Sequence, residues 1–326
     1  MSASAEPSLG TTARHVGVAV LWLAAFRLLS EHGVRLVPLA LAQRLTLQAY
    51  LTGVQLVVLG LGLAFAFVLL PAPRQALGFE MPRAARLLPL LFAAPALYVV
   101  ASYAAIYAAL PTLLAELAAR GRQAVQESSG QFGRELVASG LGLAVLWGVV
   151  VSPLAEELMF RGGLWSAAQS VVDLVRGRLG PEQRPPASTD LPEGVIQPSA
   201  LLSALRGVGR FFGSGGGTAT LVSATVFAAM HADLPGGLGI VRWVSALGLA
   251  LGTGLARQLS GGILAPIALH VVFNACSLAT TRRWLVSESF GQKLGVPVLL
   301  SLIAAVSALV AVGLALALRA RRAPSS

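Results

Sequence analysis

The stretch Ser152–Gly163, SPLAEELMFRGG, decides how the rest of this chain is read. Two adjacent carboxylates, Glu156 and Glu157, and the guanidinium of Arg161 lie inside an otherwise apolar run from Leu136 to Val172. An ionised group at membrane depth costs roughly 2.5–3.5 kcal/mol on insertion scales, so such groups face a bundle interior and mark a functional site. At about 1.5 Å per residue this run would reach about 55 Å, against a hydrocarbon core of about 30 Å. One straight span cannot hold it. Pro153 is the expected kink or break, and Ser152–Pro153 also resembles a helix start. Either way the two glutamates fall in the first turn after that point, where freed backbone groups must be met by protein or cavity water.

Composition widens the same reading. Of 326 residues 56% are hydrophobic and 12% charged, and the mean hydropathy is +0.75. A soluble domain carries about 25% charged residues. The expected fold is therefore all-α, a polytopic membrane helical bundle of about eight transmembrane helices. The formal net charge is +10. Arginines in loops and tails, facing anionic headgroups, account for it, and nucleic acid is not an expected partner. The lipid bilayer is the expected partner. Cys276 is the only cysteine, which excludes an intrachain disulfide and a thiolate metal cluster. The polar leader reads as no removable signal peptide. The preference for Arg over Lys, with much Ala, Gly and Leu, suits a GC-rich bacterial genome, so the expected location is the bacterial inner membrane.

Residues 1–135 read as transmembrane segments without a motif. Val16–Leu29 is a short first span, extended by Val34–Ala42, or else a tilted interfacial helix. Leu47–Leu70 is a clear span. Leu87–Leu110 follows, with Tyr98, Tyr103 and Tyr107 either packing or lining a cavity. Pro111–Glu135 is expected to be a polar, non-cytoplasmic loop with some helix. Residues 136–280 form the motif core, interrupted by a cytoplasmic insertion at 173–217. Within it Gly177–Pro198 reads as mobile. Ser199–Phe212 reads as an amphipathic helix lying on the membrane or packed on the bundle. The spans Thr218–Met230, Val241–Ala256 and Ile263–Ala279 come next. Residues 281–326 supply the last span, Leu294–Leu318, and a tail with Arg319, Arg321 and Arg322 that favours a cytoplasmic C-terminus. The basic Arg282–Lys293 loop then falls on the opposite side, against the rule.

Later spans carry polar groups that can share an interior with the opening stretch. His231 stands one turn after Phe227, and His270 one turn before Asn274. Residues four apart project from one side of a helix, so His270 and Asn274 aim at one place. Glu157 and Arg161 have the same spacing and can neutralise each other. Glu156 lies about 100° round the helix and is the better candidate for a free carboxylate. Each feature has a plainer reading: a packing histidine, an interhelical asparagine, a structural ion pair. Together they are costly features with no role in solubility. A desolvated carboxylate can act as a general base on water, and an imidazole can orient that water. A second imidazole with a carboxamide can donate to a tetrahedral oxyanion. That is a kit for hydrolysing an amide. Glu156, His231 and His270 also make a two-histidine, one-carboxylate set for zinc, although no HExxH spacing supports it. No GxSxG elbow is present. A proton relay or transporter would use the same buried groups.

Read together, EELMFR (Glu156–Arg161), FAAMH (Phe227–His231) and HVVFN (His270–Asn274) resemble the EExxxR, FxxxH and HxxxN motifs of the CPBP family. These are the type II CAAX prenyl endopeptidases and their bacterial relatives, also called the Abi family. The resemblance implies an eight-helix intramembrane protease acting on a peptide or protein substrate in the membrane. Metal use in the family has been argued both ways, and the reading adopted is the glutamate mechanism without a metal cofactor, with zinc as the alternative. It implies that Glu156 activates water with help from His231, that His270 and Asn274 form the oxyanion hole, and that Glu157 and Arg161 support the site. A non-catalytic immunity or partner-binding protein of the same fold is the alternative. The insertion at 173–217 departs from the family pattern and puts specificity in question.

Overall fold

The computed structural model describes residues 8–38, 46–80, 84–138, 140–178, 213–232, 234–281 and 296–320, and among them there is no β-strand. The segment Ser199–Phe212, nearly all of Gly177–Pro198, the Arg282–Lys293 loop and Arg321–Arg322 lie outside the described residues. Among those described, six helical segments are long and apolar enough to cross a membrane, and Gly215–Ala229 and Leu300–Ala315 are shorter apolar helices. The chain is an integral membrane protein. Its outward side chains are apolar, with Val68 80% and Leu309 73% exposed, which suits a surface solvated by lipid.

The first helix, α1 (Leu9–His32), begins earlier than its hydropathy suggests because the Ser8 hydroxyl accepts the Thr11 N–H at 3.2 Å and caps it. It ends in a 3-10 turn at Gly33–Leu36, so the helix grows from its N-terminal end and not through Val34. Trp22, fully buried, fastens α1 to the bundle. Its indole lies against Gly62 of α2 (Leu47–Leu69), where an added Cβ would come within 1.9 Å of the ring, and against Gly163 of the motif. The glycines of FRGG thus serve packing: a Cβ on Gly162 would stand 3.2 Å from Leu77 in the short helix α3 (Pro73–Leu77).

Helix α4 (Ala84–Ala138) corrects the expected loop at Pro111–Glu135, which is helical apart from Gly121 at φ 75°. Leu110, Leu113 and Leu114 keep the apolar face going past Pro111, and packing against three later helices overrides the proline. These are α9 (Gly236–Ser260), α10 (Leu264–Thr281) and α11 (Val296–Ala320). Glu116 in that stretch has a defined task. Its Oε1 accepts the Gly237 N–H at 3.1 Å, at the start of α9, where Pro235 offers no capping side chain. Tyr107 is 72% exposed, whereas Tyr98 packs edge-on against Phe273 of α10 at 5.2 Å.

The motif run is the central helix. It comprises α5 (Leu141–Val145), a π turn (Leu146–Val151), α6 (Ser152–Glu157), a second π turn (Leu158–Leu164) and α7 (Trp165–Arg178). Its most apolar window is 56% buried, against 17–33% for the other candidate spans. Pro153 does not break it, because the chain widens into i→i+5 turns on both sides instead. Asp173–Arg178, expected to open the insertion, continues α7. The glycine tract Gly215–Gly217 opens α8 (Gly215–Ala229), capped by Ser214, whose Oγ accepts the Gly217 N–H at 3.0 Å. Helices α1, α2, α8 and α10 enclose the central helix.

Candidate active site

The chemistry collects where α6 meets α10. The two run antiparallel: His270 stands beside Glu156 and Glu157, Asn274 reaches back to Gly148, and Leu278 clusters with Ala144. The i,i+4 pair on α10 therefore contacts two levels of the central helix.

Glu157 is fully buried and engaged on both oxygens. Oε1 accepts from Nδ1 of His270 at 2.7 Å, and Oε2 lies 3.2 Å from Nε of Arg161. The contact to Arg161 is ionic and lacks hydrogen-bond alignment. Arg161, also fully buried, donates from Nη2 to the Ala250 carbonyl at 2.9 Å and sits 4.8 Å above the Phe227 ring. Cation–π contact of this kind is strongest where water is excluded. The expected neutralisation of Glu157 by Arg161 is present, and His270 is a second partner that spacing does not reveal.

Glu156 stands on the other side of the same imidazole. Its Oε2 is 4.0 Å from Nε2 of His270, and its side chain keeps 12% exposure. The 100° offset between the two glutamates does not send them to different neighbours; His270 lies between them and presents one ring nitrogen to each. Oε1 of Glu156 accepts a short hydrogen bond from the Ser152 hydroxyl.

Phe227 is the hub of the aromatic side. Its ring stacks on His231 at 4.3 Å and meets His270 edge-on at 6.1 Å. Nδ1 of His231 donates to the Phe227 carbonyl at 2.8 Å, which fixes the Nδ1–H tautomer of the neutral ring and leaves Nε2 as an acceptor. No polar contact within 4 Å joins His231 to Glu156 among the described residues. The two histidines share Phe227, and only His270 reaches the carboxylates. No three His, Cys, Asp or Glu side chains cluster as metal ligands among the described residues, so Glu156, His231 and His270 do not fit the two-histidine, one-carboxylate set as they stand.

Asn274 donates from Nδ2 to the Gly148 carbonyl at 2.7 Å. The π turn explains why that carbonyl needs a donor. Ser152 N–H reaches back five residues to Trp147, so the next donor in register would be residue 153, which is proline and has none. Asn274 supplies it and keeps a second amide N–H. An open space lies next to Gly148, where an added Cβ would meet no atom within 4 Å.

A polar cavity of about 410 Å³, lined by residues including Glu80, Trp165, Arg257 and Gln258, lies apart from this cluster and shares no side chain with it. There Arg257 donates to the carbonyls of Arg161 and Gly261 at 3.3 and 2.5 Å, holding the second π turn against the end of α9.

Among comparisons with known proteins, residues 138–276 match the family model described as Rce1-like, type II CAAX prenyl endopeptidase Rce1-like. No curated protein and no solved structure matches this chain. Ser152, Glu156, Glu157, Arg161, Phe227, His231, His270 and Asn274 all fall within the matched segment.

Proposed function

We propose, from the match of residues 138–276 to the Rce1-like model, that the chain hydrolyses a peptide bond of a membrane-embedded or lipidated peptide with water activated by Glu156. The observation that carries this is the contrast between the two glutamates. Glu157 is fully buried and held on both oxygens, whereas Glu156 keeps Oε2 without a hydrogen bond, 12% exposed and 4.0 Å from Nε2 of His270. One water can bridge groups at that separation.

In the reaction, Oε2 of Glu156 takes a proton from that water as its oxygen attacks the carbonyl carbon. The carbonyl π electrons move to oxygen. The oxyanion accepts from the second N–H of Asn274 and from Nε2 of His270. Because Nδ1–H is committed to Glu157, His270 donates from Nε2 only when both ring nitrogens carry a proton, and the Glu157 carboxylate is then its counter-charge. Collapse breaks the C–N bond, and the leaving amine takes the proton that Glu156 holds. His231, acceptor at Nε2 and stacked on Phe227, is assigned to orienting the attacking water from the aromatic side. No step requires a metal or other cofactor. The arginines at 319, 321 and 322 support a cytoplasmic C-terminus.

The test is capture. Glu156→Gln, expressed in the native membrane and purified, retains uncut peptide that the wild type releases as two fragments, read by mass spectrometry. Identical peptide populations on both proteins would reject hydrolysis.

A further inference from the structure

Glu156 has a neighbour that no family motif includes. Helix α2 is apolar except for Gln48, Thr52 and Gln55, which fall on one face and are 5–7% exposed. Gln55 ends that row against α6. Its Nε2 donates to Ser152 Oγ at 2.8 Å, and Ser152 in turn donates to Oε1 of Glu156. A hydroxyl has a single proton. With the Gln55 amide donating to the serine oxygen, that proton is directed to Glu156. Oε1 is thereby occupied, and Oε2 is the oxygen left facing His270. Gln55 is itself buried, and its own Oε1 has no hydrogen-bond partner. An amide that leaves its carbonyl unpaired in a protein interior is held there at a desolvation cost. A leucine of similar size would pack in this apolar helix without that cost, so packing alone does not explain a glutamine here.

We propose that Gln55, acting through the Ser152 hydroxyl, is a positioning residue that selects which oxygen of Glu156 does the chemistry. Its carrier helix lies outside the Rce1-like segment, so the N-terminal helices complete the site rather than merely anchor it. The role rests on Glu156 being the base, as proposed above. The arrangement is directional: donors run from Gln55 to Ser152 to Glu156, and a group at position 55 that accepts instead of donating would draw the serine proton away.

The experiment uses full-length protein in nanodiscs and has two arms. In the first, dicyclohexylcarbodiimide labels buried carboxyls and mass spectrometry follows Glu156, with no substrate needed. Ser152→Ala and Gln55→Leu label Glu156 several-fold faster than the wild type, because Oε1 is freed, and Ser152→Thr labels at the wild-type rate. In the second arm, cleavage of a farnesylated CAAX peptide is followed. Ser152→Ala, Gln55→Leu and Gln55→Glu each lower kcat by about tenfold with KM within about twofold, as loss of one hydrogen bond to a charged group entails. The Ser152→Ala, Gln55→Leu double variant loses no more than either single one. Unchanged labelling in Ser152→Ala and Gln55→Leu, or losses that multiply in the double variant, overturns the positioning role. A wild type that labels as stated but cuts no peptide leaves the geometry standing and counts against the hydrolase reading alone.

Discussion

Asn274 donates to the carbonyl of Gly148, 2.7 Å away on the neighbouring helix, and that carbonyl is the one that Pro153 cannot serve. The asparagine of the HxxxN motif therefore repairs the helix that carries the glutamates. Asn274→Ala leaves a partly buried carbonyl unpaired and should destabilise the protein by about 1–3 kcal/mol. Pro153→Ala restores an N–H in register. In the double variant, unfolding in detergent should return most of the lost stability, while cleavage stays lost because the oxyanion donor is still missing. A double variant no more stable than Asn274→Ala would mean that the carbonyl has another need.

The fully buried Glu157 balances Arg161 and holds Nδ1 of His270. Glu157→Leu strands a guanidinium in the core, which costs about 3–5 kcal/mol. Glu157→Leu with Arg161→Met removes both charges, and most of that loss should be recovered. Activity should not return, because His270 has lost the acceptor that sets its ring. Denaturant unfolding and cleavage rates, measured on the same samples, separate the two roles. A double variant that recovers cleavage would show that His270 needs no such partner.

Docking of α1 depends on Trp22 lying flat against Gly62, where a Cβ would intrude to 1.9 Å. Gly62→Ala should lower stability by about 1–3 kcal/mol, the usual cost of overpacking a filled core. Gly60→Ala, two residues away with no atom within 4 Å of the added carbon, is the matched control and should change little. Equal melting temperatures for the two variants would contradict the packing assigned to Trp22.

The reaction as proposed needs no metal. Cleavage should survive prolonged chelation, and elemental analysis of the purified protein should find well under one zinc per chain. Activity lost to a chelator and restored by zinc would return Glu156, His231 and His270 to the role of ligands.

Much of this site is legible in residue spacing alone. Periodicity pairs Glu157 with Arg161 and aims His270 and Asn274 from one face, because i,i+4 spacing is a local property of a helix. What spacing cannot supply is the partner across the bundle. Glu157 and His270 are 113 positions apart in sequence, and Gln55 and Ser152 are 97. Such contacts depend on how helices pack, and packing is set by small residues such as Gly62 and Gly163 that hydropathy hardly registers. The polar row Gln48, Thr52, Gln55 was visible at helical spacing in an apolar span and was the available signal for Gln55. A helical membrane bundle follows from composition and hydropathy. The extent of α1 and α4 does not, because a serine cap and tertiary contacts decide those ends rather than average hydropathy. The π turns on either side of α6 also have no signature in the residue pattern, and they are how the helix continues through Pro153.

The most direct measurement compares turnover by the wild type, Glu156→Gln and Glu157→Gln in proteoliposomes on one farnesylated CAAX peptide, with circular dichroism and melting recorded for each. If Glu156 is the base, Glu156→Gln keeps the wild-type fold and melting temperature and loses at least about a hundredfold in kcat, in the range expected for removing a general base. Glu157→Gln should lose stability as well as rate. A folded Glu156→Gln protein that cleaves at the wild-type rate would contradict the account.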